Sequence, residues 1–173
     1  CSRASVVTQY DHEVQGGTVI KPFCGAGSSS PSDSAVVWPH AATGELNNFS
    51  GFAVTHGFNH EAGRLSPYKM AFYCVDEAFR NLVCSGADIT KVALLDNFCS
   101  GNPANEKILG EFAVAAAACR DASLAYGATF ISGKDSFYNQ SRVEGKNFSI
   151  PLSLLISAIA PVKDVRKAVT TDF

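Results

Sequence analysis

The sequence predicts an α+β fold, in which helices cover one face of a mixed sheet. Three observations carry this prediction. Two long stretches, 67–84 and 106–126, repeat apolar residues near the spacing of a helix. Around them lie short β-branched or apolar runs of strand length, punctuated by glycine and proline. The elements follow one another as strand, strand, helix, strand, helix, strand, strand, a layered pattern with no internal repeat. At 173 residues the length predicts a single domain, large enough for a real core.

Residues 5–20 read as an extended start carrying the polar group Gln9, Tyr10, Asp11, His12 and Glu13, then the turn Gly16-Gly17. The small polar stretch 25–34 (GAGSSSPSDS) predicts a flexible loop or lid. Residues 35–38 form a short strand stopped by Pro39, 49–55 the next strand, and 56–64 a polar turn. A helix opens at Pro67 or Tyr68 and ends near Cys84, with Gly86 as its cap. Met70, Val75, Ala78, Phe79, Leu82 and Val83 supply its apolar face. Glu77 and Asn81 sit four apart and project from one face, one turn above the other.

Residues 89–95 predict a strand ending at Asp96 and Asn97. Asn102-Pro103 leads to the second helix, whose Ala-rich middle (113–118) implies close packing, and Gly127 ends it. The run 129–131 predicts a buried strand that delivers ISGKDSFYN, residues 131–139, as a loop. The polar segment 140–147 carries the chain away, and 152–159 forms the last strand. The sheet's second face needs cover from elsewhere, which predicts a pairing partner.

The net charge of −2 without a basic cluster argues against nucleic-acid binding. The longest apolar run, 152–162, is strand-sized, so no membrane span is predicted. The chain begins at Cys1 rather than Met, so a fragment of a longer multidomain polypeptide is expected. Six cysteines and three Asn-x-Ser sequons, at Asn48, Asn139 and Asn147, support an alternative, a secreted disulfide-bonded domain. The cysteines are scattered without paired spacing, so reduced thiols in a cytoplasm are the default reading.

The chemistry centres on Gly133, Lys134, Asp135 and Ser136, which present in sequence a close backbone, a cation, a carboxylate and a hydroxyl. This is not a P-loop: Gly127 lies one residue too far from Gly133, and Asp135 stands where that motif needs a hydroxyl. Asp96-Asn97 and the segment 133–136 both close strands, where ligands of such sheets collect. Glu77, Asn81 and Asp33 add oxygen donors. Carboxylates with an amide oxygen suit Mg²⁺ completed by phosphate oxygens. A solvated helix face is the plainer reading of Glu77 and Asn81. His12 between two acids suggests a general base, with a hydrogen-bonded structural histidine the commoner role. His56 and His60 lie in a turn and make no zinc pair by spacing. Cys99 stands out as a loop thiol.

Taken jointly, YDHEVQGGTVIKP (10–22), DEAFRNLVCSGA (76–87), LDNFCSGNP (95–103), ISGKDSFYN and the tail 151–173 resemble one family. They look like phosphoribosylformylglycinamidine synthase, at the first domain of its second half. That domain type is shared with aminoimidazole ribonucleotide synthase. The resemblance implies the aminoimidazole ribonucleotide synthase N-terminal-like fold, and an ATP-dependent ligase of purine biosynthesis. That enzyme converts formylglycinamide ribonucleotide with glutamine as amide donor. It implies ATP or ADP with Mg²⁺ held by Asp33, Glu77, Asn81 and Asp135. It implies Asp96, Gly133 and Ser136 at nucleotide or substrate phosphate, and Lys134 falls in the same motif. Partners would be companion domains and a glutaminase domain or subunit, with a homodimer of the isolated fragment as another pairing. Alone, the fragment would be inactive, because the family's catalytic histidine and glutaminase triad lie in other domains. An auxiliary domain that holds nucleotide without turnover is the alternative. Two departures stand out. Lys134-Asp135 takes the Asn-Val place of the small-subunit form, and Gly57 falls where the family usually carries an aspartate.

Overall fold

The fold is described from a computed structural model, in which residues 2–25 and 27–171 are described. In chain order the elements are α1 (Ala4–Val7), β1 (Thr18–Ile20), β2 (Phe23–Cys24), β3 (Ser30–Pro31), β4 (Ala35–Val37) and α2 (His40–Thr43). There follow β5 (Gly51–Phe58), α3 (His60–Leu65), α4 (Pro67–Cys84), β6 (Ala93–Cys99) and α5 (Glu106–Tyr126). The chain continues with β7 (Thr129–Ser136), β8 (Gln140–Val143), β9 (Lys146–Ser149), β10 (Ser153–Val162) and a 3-10 turn, Val165–Lys167. Six strands form a mixed sheet in the order β1-β4-β5-β10-β6-β7. The α+β class predicted from the sequence is the one observed.

The chain divides into two compact units. The first holds the residues up to Thr55, Asn81–Lys91 and the chain from Ile159 onward. Here β4 pairs antiparallel with β1 and with β5, and Val36 and Ala53 are fully buried at the centre. The backbone of Val37 comes so close to Gly51 that a β-carbon there would meet its carbonyl at 2.3 Å. The 3-10 turn is pinned beneath: Val165 N–H donates to the Phe49 carbonyl (2.9 Å), and the Arg166 guanidinium sits 3.8 Å over the Phe49 ring.

The second unit holds His56–Arg80 and Val92–Ala158. Its core is Met70, Cys74, Val75, Ala78 and Phe79 of α4, Ala115, Ala118, Cys119 and Ala122 of α5, and Leu94, Phe98, Leu154 and Ile156 of the strands. Small residues let the layers approach closely. At Gly57 a β-carbon would lie 1.8 Å from the Cys74 carbonyl, so the end of β5 runs against the backbone of α4. The Cys74 thiol donates to the Leu154 carbonyl of β10 (3.4 Å). Burial pushes that thiol up to about 11 and Cys119 up to about 12, so both behave as small apolar groups. The ring of Tyr126 packs on Phe79 with centroids 4.4 Å apart. Asn105 caps α5 by accepting from Lys107 N–H (3.0 Å), and Gly127 ends it at φ +65.

Both long helices match their predicted bounds, but several other expectations are corrected. The extended start contains a helical turn at Ala4–Val7 before β1. The strand expected at 49–55 runs on to Phe58, and the polar turn at 56–64 contains helix α3, capped by Asn59. The strand expected at 89–95 lies at Ala93–Cys99, so Asp96 and Asn97 stand inside it. Val83, expected in the core, is 56% exposed. The polar segment 140–147 is most of a hairpin, β8 with β9, turned by Glu144 (φ 49) and Gly145 (φ 79). Its strands are exposed throughout, so no apolar alternation announced them. Cys24, Cys74, Cys84, Cys99 and Cys119 are free thiols, and Cys1 lies outside the described residues. No helix among the described residues is long and apolar enough to cross a membrane.

Candidate functional site

The parallel pair β6–β7 places most of the predicted nucleotide residues side by side. Asp96 faces Gly133, Asn97 faces Lys134, Phe98 faces Asp135 and Cys99 faces Ser136. That register depends on an irregularity: Leu94 pairs with Phe130 and Leu95 with Ser132, so Ile131 is an extra residue in β7. Without it, the alternation of side chains along β7 would be reversed beyond this point.

Two expectations about this stretch are corrected. The strand is not buried, since Ile131 is 63% exposed and β7 is the sheet's edge. Residues Gly133, Lys134, Asp135 and Ser136 are not a loop but the second half of β7. Strand alternation therefore splits them, with Gly133 and Asp135 on one face and Lys134 and Ser136 on the other. Lys134 Nζ donates to Ser136 Oγ. The strand end is tied down by Asn139, whose Nδ2 donates to the Ser136 carbonyl (2.7 Å) and to the Ser100 carbonyl (3.3 Å). That use of its amide gives Asn139 a structural role at the end of β7.

On the first face, the Asp96 carboxylate packs directly on Gly133 and accepts Lys134 N–H at 3.3 Å. Burial pushes the Asp96 carboxyl above the ordinary aspartate range, and the neighbouring charge of Asp135 pushes it further, partly offset by that N–H. Two carboxylates close enough to disfavour each other's charge favour a cation between or beside them.

Glu77 lies in α4 and uses Oε2 to accept Phe58 N–H from the end of β5 (2.7 Å). It lines a polar cavity of about 580 Å³ with Phe58, Asn59, Tyr73, Asp76 and Arg80. Asp76, which the sequence did not single out, anchors this wall. It accepts Tyr126 Oη (2.5 Å) and Arg80 Nε (2.8 Å). The Asp76/Arg80 spacing of four was the available signal; Tyr126, fifty residues away, had none. Asn81 follows Glu77 by four residues in α4, and Asp33 is exposed between β3 and β4. Among the described residues no group of three or more His, Cys, Asp or Glu is arranged to hold a metal ion.

The histidines have local partners. His12 Nε2 meets the Val7 carbonyl at 3.0 Å, and His60 pairs with Glu61 at 3.0 Å. His56 lies in β5, not in a turn, with Nδ1 3.2 Å from Ser157 Oγ. Cys99 lies in β6, half-buried, its thiol 3.8 Å from Asn97 Oδ1.

A mixed sheet flanked by two long helices, with Asp96 and Asp135 carried on its parallel pair β6–β7, defines an α+β domain. Comparison with known proteins makes this particular: residues 31–155 match the family described as AIR synthase related protein, N-terminal domain, and the chain belongs to it. Among curated relatives, phosphoribosylformylglycinamidine synthase subunit PurL of Picrophilus torridus is 36% identical over the whole chain, which covers 22% of that protein. The Thermoplasma acidophilum subunit is 31% identical over 99% of the chain and 21% of its own length. The chain thus spans about a fifth of these relatives. Among solved structures, PurLQS from Thermotoga maritima superposes with a TM-score of 0.75 at 21% identity, over 97% of this chain and 25% of that one. PurL of the same organism complexed with ATP gives 0.69 at 21% identity, over 97% and 24%. These two likenesses establish the fold.

Proposed function

We propose that the chain is the ATP- and Mg²⁺-binding domain of a phosphoribosylformylglycinamidine synthase, one domain of a longer cytoplasmic ligase. The complete enzyme joins ammonia drawn from glutamine to formylglycinamide ribonucleotide at the expense of ATP, releasing ADP, phosphate and glutamate. The observation that carries this reading is the Asp96 carboxylate seated on Gly133 beside Asp135. It stands in a chain related along its whole length to proteins bearing that name.

In this reading Gly133 makes room for the Asp96 carboxylate against β7, while Lys134 and Ser136 meet nucleotide or substrate phosphate from the second face of β7. Asp96 orients the nucleotide. Mg²⁺ would be held through the carboxylates of Asp135 and Glu77 in the second unit, with phosphate oxygens completing its shell. Asn81 and Asp33 of the first unit are the further donors that the resemblance implies. The donors fit that ion: all are hard oxygens, and the proximity of Asp96 to Asp135 is relieved by positive charge. Mg²⁺ bound through one or two carboxylates plus phosphates needs no cage of protein ligands. When bound, it neutralises charge on the polyphosphate. A companion domain covers the second face of the sheet, and a glutaminase domain or subunit supplies ammonia.

Calorimetry with ADP·Mg²⁺ tests the assignment. Asp135→Ala should weaken binding about tenfold or more, the scale of one charged contact. Equal affinity in both proteins removes Asp135 from the site.

A further inference from the structure

We propose that the first unit carries a separate binding site for a neutral, planar heteroaromatic ring of the aminopurine kind. A cavity of about 440 Å³ opens there, lined by Tyr10, His12, Gln15, Trp38, His40 and Phe52 among others. Its size is that of small-molecule sites. Four of these residues form ring pairs at its wall. Tyr10 and His12 meet edge to face with centroids 5.1 Å apart, and Trp38 and His40 lie 4.7 Å apart.

The rings are held in place before any ligand arrives. Trp38 Nε1 donates to the Asn48 carbonyl (2.7 Å), and the indole stacks on Phe49. Trp38 N–H donates to the Gly17 carbonyl (2.7 Å), which ties the two walls together. His12 holds φ +61, a conformation costly for a residue with a side chain. Two bonds keep it there: Thr18 Oγ1 donates to its carbonyl (2.5 Å), and its Nε2 meets the Val7 carbonyl. Because that carbonyl only accepts, Nε2 is the donor in this bond, which leaves Nδ1 as the ring nitrogen for a polar group of the ligand such as an exocyclic amine.

The lining also says what the ligand is not. No Lys, Arg, Asp or Glu is among the described residues that line the cavity, so no fixed charge there favours a phosphate over a neutral ring. Ring faces and a few neutral polar groups select a base or nucleoside over a sugar phosphate. This site is distinct from the Asp96–Gly133 pair.

Trp38 is the only tryptophan, so its emission reports on the cavity directly. The 173-residue chain is titrated with adenosine and with ribose 5-phosphate, following emission and heat in parallel. The expectation is saturable quenching by adenosine alone. Loss of a base-stacking ring should weaken it about fivefold or more. Tyr10→Ala removes an exposed ring, and His12→Asn keeps a residue that tolerates positive φ. Both should weaken adenosine while leaving ADP·Mg²⁺ affinity unchanged. Absence of saturable quenching, equal response to ribose 5-phosphate, or unaltered adenosine affinity in both variants overturns the proposal. None of these outcomes bears on the nucleotide site proposed above.

Discussion

The carboxylate of Asp96 occupies the space that a side chain on Gly133 would need: a β-carbon there would lie 2.3 Å from Oδ1 and 2.8 Å from Cγ. The obstructing atoms end a side chain and are not backbone, so Gly133→Ala has an inexpensive escape, rotation of Asp96 away from β7. Stability should fall only modestly, by about 1 kcal/mol. The bond from Lys134 N–H to Asp96 should be lost, and with it the placement of the carboxylate. Urea unfolding of the variant, set beside calorimetry with ADP·Mg²⁺, should therefore show a small stability change and a larger loss of affinity. The reverse pattern would make Gly133 a packing residue only.

Asp96 also predicts a pH dependence. Its carboxyl is raised by burial first and by Asp135 second, so the folded state holds this proton more tightly than the unfolded chain does. Its contribution to stability is complete below the unfolded pKa and is lost as pH rises through the folded one. Asp96→Asn removes that dependence. The difference in unfolding midpoint, variant minus wild type, should grow in the variant's favour from acid pH up through the window just above the ordinary aspartate range. Flat, superimposable profiles would contradict the assigned environment.

Gly57 answers to a harder constraint, because what a β-carbon would meet there is backbone: the Cys74 carbonyl oxygen at 1.8 Å and the Ala78 nitrogen at 3.0 Å. Gly57→Ala should cost about 3 kcal/mol, and Gly57→Asp more, read as a drop in thermal midpoint. Restoring the aspartate that the family usually carries there should not improve Mg²⁺ binding, since the strand must first move off α4. A stable Gly57→Asp protein with tighter Mg²⁺ binding would show that β5 tolerates the ligand.

These cases show what the chain made legible and what it did not. The helices were readable because Met70, Val75, Ala78, Phe79 and Leu82 recur on one face and Gly127 marks an end. The second half of β7 looked like a loop because Gly133, Lys134, Asp135 and Ser136 lack strand propensity. Pairing with β6 makes it a strand, and no local pattern reports a pairing partner. Hairpin β8–β9 was hidden for the same reason, its strands being exposed on both faces. At the candidate site, residue types were legible and contacts were not. Asp96 and Asp135 could be named as acids, whereas the bulge at Ile131 that sets their register has no signature in sequence. Tyr126 binding Asp76 across fifty residues likewise follows only from how α5 packs on α4.

That contact supports a last prediction. Tyr126 Oη donates to Asp76, while its ring stays in contact with Phe79 and with Phe72, so Tyr126→Phe deletes the bond and spares the packing. Asp76 keeps its pairing with Arg80, so no charge is left without a partner. The expected cost is about 1 kcal/mol. Burial, then the bond to Asp76, pushes the Tyr126 hydroxyl up to about 12. The folded state thus binds this proton more tightly, and its contribution is present below the ordinary tyrosine range and lost as pH climbs towards that value. Wild type and Tyr126→Phe should accordingly converge in stability at strongly alkaline pH and differ at neutral pH. Because Asp76 adjoins Glu77 on the cavity wall, the same substitution should also loosen Phe58 at the end of β5. Faster amide exchange at Phe58, where Glu77 accepts the N–H, checks this directly. Unchanged exchange there would confine the role of Tyr126 to the packing of α5.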